Sequence, residues 1–365
     1  MHRLLCIFLL PCCLFGQNDS IEDRLLINAD FRFRIEQDWN SQRSDGTYRD
    51  DRSRARIRAR LGLTYMAKHE KLGFRMRTGN PKKQQDPQIT LGNSENELEG
   101  LPVSIERAFY AFEKGEWYFW LGKNDFSFYK NNELFWSDNV FPEGLFISYT
   151  KGKINLSAGH FIIQSSNQDF GLDAFLSAFQ VGYAMNDRFK LNPGLYYFNK
   201  MAHIPDGNET FQLNYAIAHL NGFFQFKKAP LKLKFDVYRN LIDYTNNDQI
   251  QQAFAKEVNA LAFGLAYKEL ESPKDWRLEL TYTYLEQYAN VNYFAQNDWA
   301  RWDYSAFDSP DGRLSNLKGL ELVGSYQLRE KTSLTVKYYI VEDIIRNGPF
   351  QETGSRIRLD LDFKI

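Results

Sequence analysis

The sequence predicts an all-β fold, an up-and-down antiparallel β-barrel of about sixteen strands that spans a membrane. Three observations support it: apolar and polar residues alternate along many segments, the connections are alternately short and long, and the chain is 16% aromatic yet 25% charged. The mean hydropathy is −0.51, and no apolar run of about 20 residues follows residue 16, which excludes a helical membrane protein. The aromatic content excludes a disordered chain.

The N-terminus, 1–16, is a predicted signal peptide. It has a short basic start, an apolar run over 4–15 and the small residue Gly16. Cleavage there leaves one domain, 17–365, without any of the three cysteines, so the exported chain does not rely on disulfides. Two alternatives stay open: a buried N-terminal element, and a lipoprotein anchored through a cysteine, although no small residue of the kind a lipobox needs precedes these cysteines.

The first segment of this domain establishes the period. From Leu25 to Glu36, odd positions are apolar, and even positions from Asn28 onward are polar. A period of two is typical of a strand with one wet face, whereas a helix would spread these residues around its circumference. Comparable segments predict strands near 25–36, 54–65, 72–77, 103–113, 116–124, 144–151, 153–162, 174–185, 188–198, 211–226, 231–239, 257–268, 275–285, 318–328, 332–342 and 355–365. Alternation is weak over 174–198, and 211–226 is long enough to hold a bulge.

The connections indicate where the barrel lies. Tight periplasmic turns alternate with long external loops in outer-membrane barrels, whereas a soluble sandwich has no reason to order its loops in this way. With both termini on the short-turn side, the strand number is even. The sequence therefore predicts a single barrel in the bacterial outer membrane, surrounded by outer-membrane lipid. The long loops are expected near 37–53, 78–102, 125–143, 163–173, 199–210, 240–256, 286–317 and 343–354.

The last strand, 355–365, alternates to its final residue. It resembles the C-terminal signal that outer-membrane barrels present to the barrel-assembly machinery, which is therefore an expected partner. The usual last residue of that signal is Phe or Trp, whereas this chain ends in Ile365 with Phe363 two positions earlier.

The polar faces of the first three strands and the last one carry ten arginines. In a closed barrel the last strand pairs with the first, so these residues are predicted to form one contiguous wall of the lumen. Guanidinium groups pair with carboxylate, phosphate or sulfate and stay charged, so the wall indicates passage of anions. The same parity rule predicts an excess of about seven positive charges inside and about nine negative charges in the loops and rims. The ten are Arg32, Arg34, Arg54, Arg56, Arg58, Arg60, Arg75, Arg77, Arg356 and Arg358.

Three alternatives to a channel remain. The arginines could hold the wall against acidic loops folded into the lumen, with Glu36, Asp360 and Asp362 as local partners. A plugged barrel could act in surface binding or adhesion. A rim enzyme would need a histidine pair, for which His203 is the candidate, but no catalytic spacing supports an enzyme. No cofactor, bound metal or nucleic-acid partner is predicted. The Asp-rich loops could bind calcium, although they lack the ordered ligand spacing of a calcium site; their acids are Asp45, Asp50, Asp51, Asp298, Asp303, Asp308 and Asp311.

The chain resembles the alginate-export-type family of outer-membrane barrels, porins of Gram-negative bacteria. The resemblance rests on the opening strand pair, on the terminal strand, and on Gly122-Lys123-Asn124, Trp136 and Gly144, where the family has Gly-Arg-Gln, a Trp and a Gly. It implies passage of anionic polysaccharide along Arg32, Arg34, Arg54, Arg56, Arg58, Arg60, Arg75 and Arg77. We therefore expect an outer-membrane channel that favours anionic solutes, acidic saccharides among them.

Overall fold

A closed antiparallel sheet forms the whole framework of the protein. The computed structural model describes residues 23–81, 86–92, 100–202, 211–295, 298–299, 315–346 and 348–365. Within these ranges sixteen strands make the barrel, as predicted. The predicted signal peptide lies outside them. No helix in the described part of the chain has the length and apolar character needed to cross a bilayer.

Each strand pairs with its neighbours along the chain, and the last strand closes the barrel on the first. The closing seam runs from Asp30 opposite Lys364 to Trp39 opposite Ser355. A two-residue strand, Ile89–Thr90, pairs with the second barrel strand. The barrel strands are β1 (Arg24–Trp39), β2 (Arg52–Met66), β3 (Glu70–Thr78), β4 (Val103–Lys114), β5 (Trp117–Lys123), β6 (Glu143–Lys151), β7 (Ile154–Gln164), β8 (Ala174–Asn186), β9 (Phe189–Ala202), β10 (Gln212–Gln225), β11 (Leu231–Asn240), β12 (Asn259–Tyr267), β13 (Trp276–Leu285), β14 (Leu317–Arg329), β15 (Thr332–Asp343) and β16 (Thr353–Lys364).

The alternation in the sequence becomes two faces of the wall. On β1, Ile27 and Ile35 are exposed on the outer surface, whereas Glu36 and Asp38 are buried on the inner one. Successive side chains of a strand point to opposite faces, so one strand can meet lipid and a charged lumen together. Aromatic residues lie near strand ends on the outside, where Trp276 pairs in register with Tyr326, as interfacial girdles do.

A β-bulge changes the inner face of the wall from charged to apolar. The register between β3 and β4 shifts between Arg75 and Met76, which leaves Glu106 as the extra residue. Before the bulge, even positions such as Glu106 are buried inside. After it the odd positions face inward, with Ala111 buried in the core and Phe109 packed against it. A bulge inserts one residue into a strand, so the residue numbers that face the lumen change from even to odd in the rest of that strand.

The bulge considered for 211–226 lies instead in the neighbouring strand. The pairing of β9 with β10 shifts between Phe198 and Met201. Lys200 has φ of 56° there, and its backbone N–H donates to the Asn214 side chain at 2.8 Å. β10 is therefore long because it is uninterrupted, and the irregularity lies in β9, the strand paired with it.

Candidate functional site: the lumen

The ten predicted arginines all lie on the inner side of the barrel and form what we call the arginine wall. Closure of β16 on β1 places Arg358 and Arg34 on neighbouring strands, as the sequence pattern predicts. Arg54, Arg75, Arg77 and Arg356 form ion pairs within the wall rather than lining the main cavity. The main cavity, of about 1220 Å³, is lined by the other six, Arg32, Arg34, Arg56, Arg58, Arg60 and Arg358.

The arginine wall is paired with carboxylates. Arg34 donates to both oxygens of Asp360, with Nε to Oδ1 at 2.6 Å and Nη2 to Oδ2 at 2.7 Å. Arg32 makes the same two-pronged contact with Asp362, at 2.7 and 3.0 Å. Such paired contacts fix the planes of both groups. Each of the ten arginines has a carboxylate oxygen within 4.0 Å among the described residues.

Glu106, at the bulge, is a centre of this network. Its carboxylate lies 2.8 Å from Arg60, 2.5 Å from Arg75 and 3.9 Å from Arg77. The Glu106 side chain has no solvent exposure. One buried carboxylate among three guanidinium groups leaves a local excess of positive charge.

Two external loops bring further carboxylates into the lumen. Asp86 Oδ2 lies 2.5 Å from Arg56. Asp298 pairs with Arg358, and its backbone carbonyl accepts from Arg356 at 2.7 Å. Burial by itself would raise the pKa of Asp298, but the cationic neighbours, Arg358 foremost, hold that pKa below its usual value.

These loop acids correct the predicted internal charge. The parity rule considered strand residues alone and gave an excess of about seven positive charges. Among the described residues that line the main cavity, twelve are basic and ten are acidic. The excess along the cavity is therefore two. Four arginines counted by the parity rule do not line the cavity, and loops that parity cannot follow add Asp86, Glu133, Asp138 and Asp298.

The carboxylates of the wall lie deeper than several of its arginines. The Glu36 and Glu106 side chains are 0% exposed and that of Asp360 is 2% exposed, whereas those of Arg32 and Arg54 are 23% and 22% exposed. In other pairs of the wall the carboxylate is the more exposed partner: Asp86 with Arg56, Asp30 with Arg58 and Asp298 with Arg358. A solute in the lumen therefore meets both guanidinium groups and carboxylates, and the wall is close to electrical balance.

The connection from 124 to 142, which we call the inner loop, folds into the barrel and packs against the apolar part of the wall. Trp136 is fully buried. Its ring stacks on Phe126 at 4.4 Å and on Phe294 at 4.6 Å, and its indole N–H donates to the Val140 carbonyl at 2.8 Å. Phe135 stacks on Tyr238 of β11 at 5.6 Å.

Polar contacts hold the same loop at fixed positions. Asn131 Nδ2 donates to the backbone carbonyls of Gly222 and Phe235, each at 2.9 Å. Asn132 Nδ2 donates to Asp236 at 2.7 Å. The other oxygen of Asp236 lies 2.9 Å from Nε2 of His219, which is buried. The inner loop is therefore attached both by aromatic packing and by hydrogen bonds.

The polar edge of the inner loop faces the arginine wall across the cavity. Asn139 Oδ1 accepts from Arg60 at 2.9 Å, so loop and wall touch at this point. Lys130 pairs with Asp138. Burial, with the nearby Asp138, raises the pKa of Glu133. The lumen thus narrows between a guanidinium surface and a mixed polar edge.

The comparisons with known proteins agree with this architecture. The family model described as "Putative porin" matches residues 15–216, more than half of the chain. The chain belongs to this porin family. Porins of this kind are bacterial outer-membrane proteins, which confirms the predicted location. The match does not confirm the resemblance to the alginate-export type.

Solved porin structures share the fold. A triple mutant of the Rhodopseudomonas blastica porin aligns with a TM-score of 0.54 and 11% identity, over 94% of this chain and 100% of that one. OprB of Pseudomonas putida aligns with a TM-score of 0.58 and 12% identity, over 93% and 94%. At such identity the likeness concerns the fold alone. No curated protein sequence matches this porin.

The inner loop is the element of the lumen that the strand pattern did not predict. A signal was present, because the segment includes Phe126, Phe128, Phe135 and Trp136 in what otherwise counts as an external connection. The weak alternation over 174–198 was a second signal. Inner positions of these strands, such as Tyr196, are apolar because the inner loop covers them.

The remaining candidate groups fall outside the lumen or the described residues. His203 lies outside them, as do Asp303, Asp308 and Asp311. His69, in a short turn, contacts the Glu113 carbonyl at 3.0 Å. Within the part of the chain that the structure describes, no group of three His, Cys, Asp or Glu side chains is placed to hold a metal ion.

Proposed function

We propose that this outer-membrane channel favours anionic solutes, with acidic saccharides as the solute class. The observation that carries the proposal is the row of six wall arginines along the cavity, of which Arg32 is 23% exposed beside Asp360 at 2%. The small positive excess along the cavity acts in the same direction. The resemblance to alginate-export-type barrels supports the saccharide class.

The pairing of the wall has two consequences for this proposal. It stabilises a dense row of arginines that would otherwise repel one another, which is the scaffolding role considered from the sequence. It also makes selectivity moderate, because each guanidinium already has a partner. A permeating carboxylate would share donors with the wall, as guanidinium offers five N–H groups.

Reversal potentials in a tenfold KCl gradient across planar bilayers test the proposal. We expect an anion preference. Arg58→Gln removes a positive charge that pairs with Asp30 at 2.7 Å, and Asp30→Asn removes its partner. The first variant should lower the anion-to-cation permeability ratio and the second should raise it, each by about twofold per unit charge. A cation-selective wild type, or both variants shifting the same way, would contradict the proposal.

The solute class has a separate test. Liposome-swelling rates for glucuronate and glucose, compared in the wild type and Arg58→Gln, report on a saccharide with and without a carboxylate. Preference for glucuronate should fall in the variant while the glucose rate stays unchanged. Equal loss for both sugars would indicate a change in pore size rather than in charge recognition.

A barrel with a plugged lumen, acting in surface binding, is the second candidate. It is favoured by the packing of external loops over the inner loop, where Tyr244, Phe254, Tyr288 and Phe294 are buried in the described residues. This candidate predicts no measurable conductance in bilayers, so the same experiment separates the two.

Two further partners complete the proposal. The exposed apolar residues of the outer surface, such as Ile27 and Leu280, suit contact with outer-membrane lipid. The last strand carries Phe363 on the same surface, 6.3 Å from Phe31 across the closing seam. We propose 355–365 as the segment that engages the barrel-assembly machinery before the seam forms.

A further inference from the structure

Two lysines of the lumen differ from the arginine wall in having no carboxylate partner. Lys190 and Lys364 both line the main cavity. Among the described residues, no carboxylate oxygen lies within 4.0 Å of either ammonium group. By contrast, the lumen lysines Lys234 and Lys337 pair with Glu279 and Glu321.

Both unpaired lysines lie at the same end of the barrel. Lys190 is the second residue of β9, directly after the short turn that follows β8, and Lys364 is the last strand residue of β16. Short turns face the periplasm in outer-membrane barrels. The unpaired charges therefore mark the periplasmic mouth, whereas the loop acids Asp86 and Asp298 enter from the external side.

The surroundings of Lys190 keep its charge available. Its ammonium lies 4.6 Å from the centre of the Tyr129 ring, a contact that stabilises a cation without neutralising it. Burial, with Asp236 nearby, raises the pKa of Tyr129 to about 12, so the phenol carries no negative charge at neutral pH. Lys190 thus stands beside a neutral ring rather than beside an anion.

We propose that Lys190 and Lys364, which lie on strands seven apart in the sixteen-strand barrel, each capture anions at the periplasmic mouth and together recruit carboxylates from the periplasmic side. This inference rests on the proposed anion preference and adds a direction to it. An unpaired charge raises the local anion concentration, whereas a paired guanidinium mainly orders the wall. Charge placed at one mouth makes anion entry easier from that side.

The experiment measures asymmetry of the current in bilayers with the porin inserted in one orientation. The orientation is read from single channels of Lys190→Cys, modified by a charged thiol reagent added to either side. Chloride current at equal and opposite voltages gives the asymmetry, and periplasmic glucuronate provides a blocking probe. The variants are Lys190→Gln, Lys364→Gln and their combination.

The matched control is Lys153→Gln. Lys153 lies in a periplasmic turn outside the cavity, where its ammonium donates to the Met185 carbonyl at 2.9 Å. Each lumen variant should lower anion entry from the periplasmic side by about twofold, since it removes a unit charge that lines the ion path itself, as Lys153 does not. The double variant should lose the asymmetry and weaken periplasmic glucuronate block, while the control keeps both.

Two results would overturn the inference: a wild-type current that is symmetric, or an asymmetry that survives in the double variant. Either can occur in a channel whose reversal potential is anion-selective, so failure of the capture site is distinguishable from failure of the proposed function. Retained asymmetry with changed glucuronate block would assign solute binding, but not recruitment, to Lys190, and would also count against the inference.

Discussion

Trp136→Ala should release the inner loop from the wall while leaving the barrel intact. Trp136 is fully buried, stacks on Phe126 and Phe294, and donates one hydrogen bond to Val140. Truncating a buried Trp to Ala costs about 3–5 kcal/mol. At 1.4 kcal/mol per factor of ten, the detached loop becomes more populated by about two to four powers of ten.

The substitution should not lower the stability of the barrel itself. The strand ladder is made of backbone hydrogen bonds that do not involve the inner loop, so the loss is confined to the attachment of the loop. We expect a larger single-channel conductance with more current noise, and an unchanged temperature for the mobility shift of the folded barrel on SDS gels.

Trp117→Ala is the matched control, because Trp117 lies on the outer surface and is 51% exposed. It should leave the conductance unchanged. The reasoning is refuted if Trp136→Ala folds and conducts like the wild type, because the inner loop would then not depend on its aromatic contacts.

Three further predictions concern charge, stability and assembly. Burial raises the pKa of Glu133, so this carboxylate becomes neutral early as the pH falls; reversal potentials should shift toward anions on acidification, and a Glu133→Gln variant that kept the full shift would contradict this. Glu106→Gln leaves three arginines around a neutral group and should lower the free energy of unfolding in urea by about 3–5 kcal/mol, against less than about 1 kcal/mol for Glu113→Gln at an exposed ion pair; equal losses would refute the argument. Phe363→Asn should reduce the amount of barrel in outer-membrane fractions, and normal levels would argue against 355–365 as the assembly segment.

Much of the barrel could be predicted because its determinants are local. Alternation with a period of two depends only on which face of a strand meets lipid, and loop lengths follow the side of the membrane. Strand bounds differ by a few residues, as in β1, which extends to Trp39. The bulge at Glu106 was not predictable, since a one-residue insertion leaves an apolar pattern that either parity can explain.

The character of the lumen could be predicted only in part. The arginine wall follows from parity and closure. Its pairing follows only in part: Glu36, Asp360 and Asp362 were expected as local partners, whereas Asp86 and Asp298 reach Arg56 and Arg358 from separate loops. Contacts between residues far apart in the chain leave no periodic pattern in the sequence from which they could be predicted.

The sequence by itself determined that this chain is a barrel of the outer membrane, with apolar residues outside and arginines inside. It could do so because lipid and water act on every strand in turn. Only the tertiary structure decided which arginines pair with which acids, that the inner loop packs inside the lumen, and that Lys190 and Lys364 have no carboxylate partner among the described residues. Those outcomes depend on where the loops pack inside the closed barrel, and no single strand determines that packing.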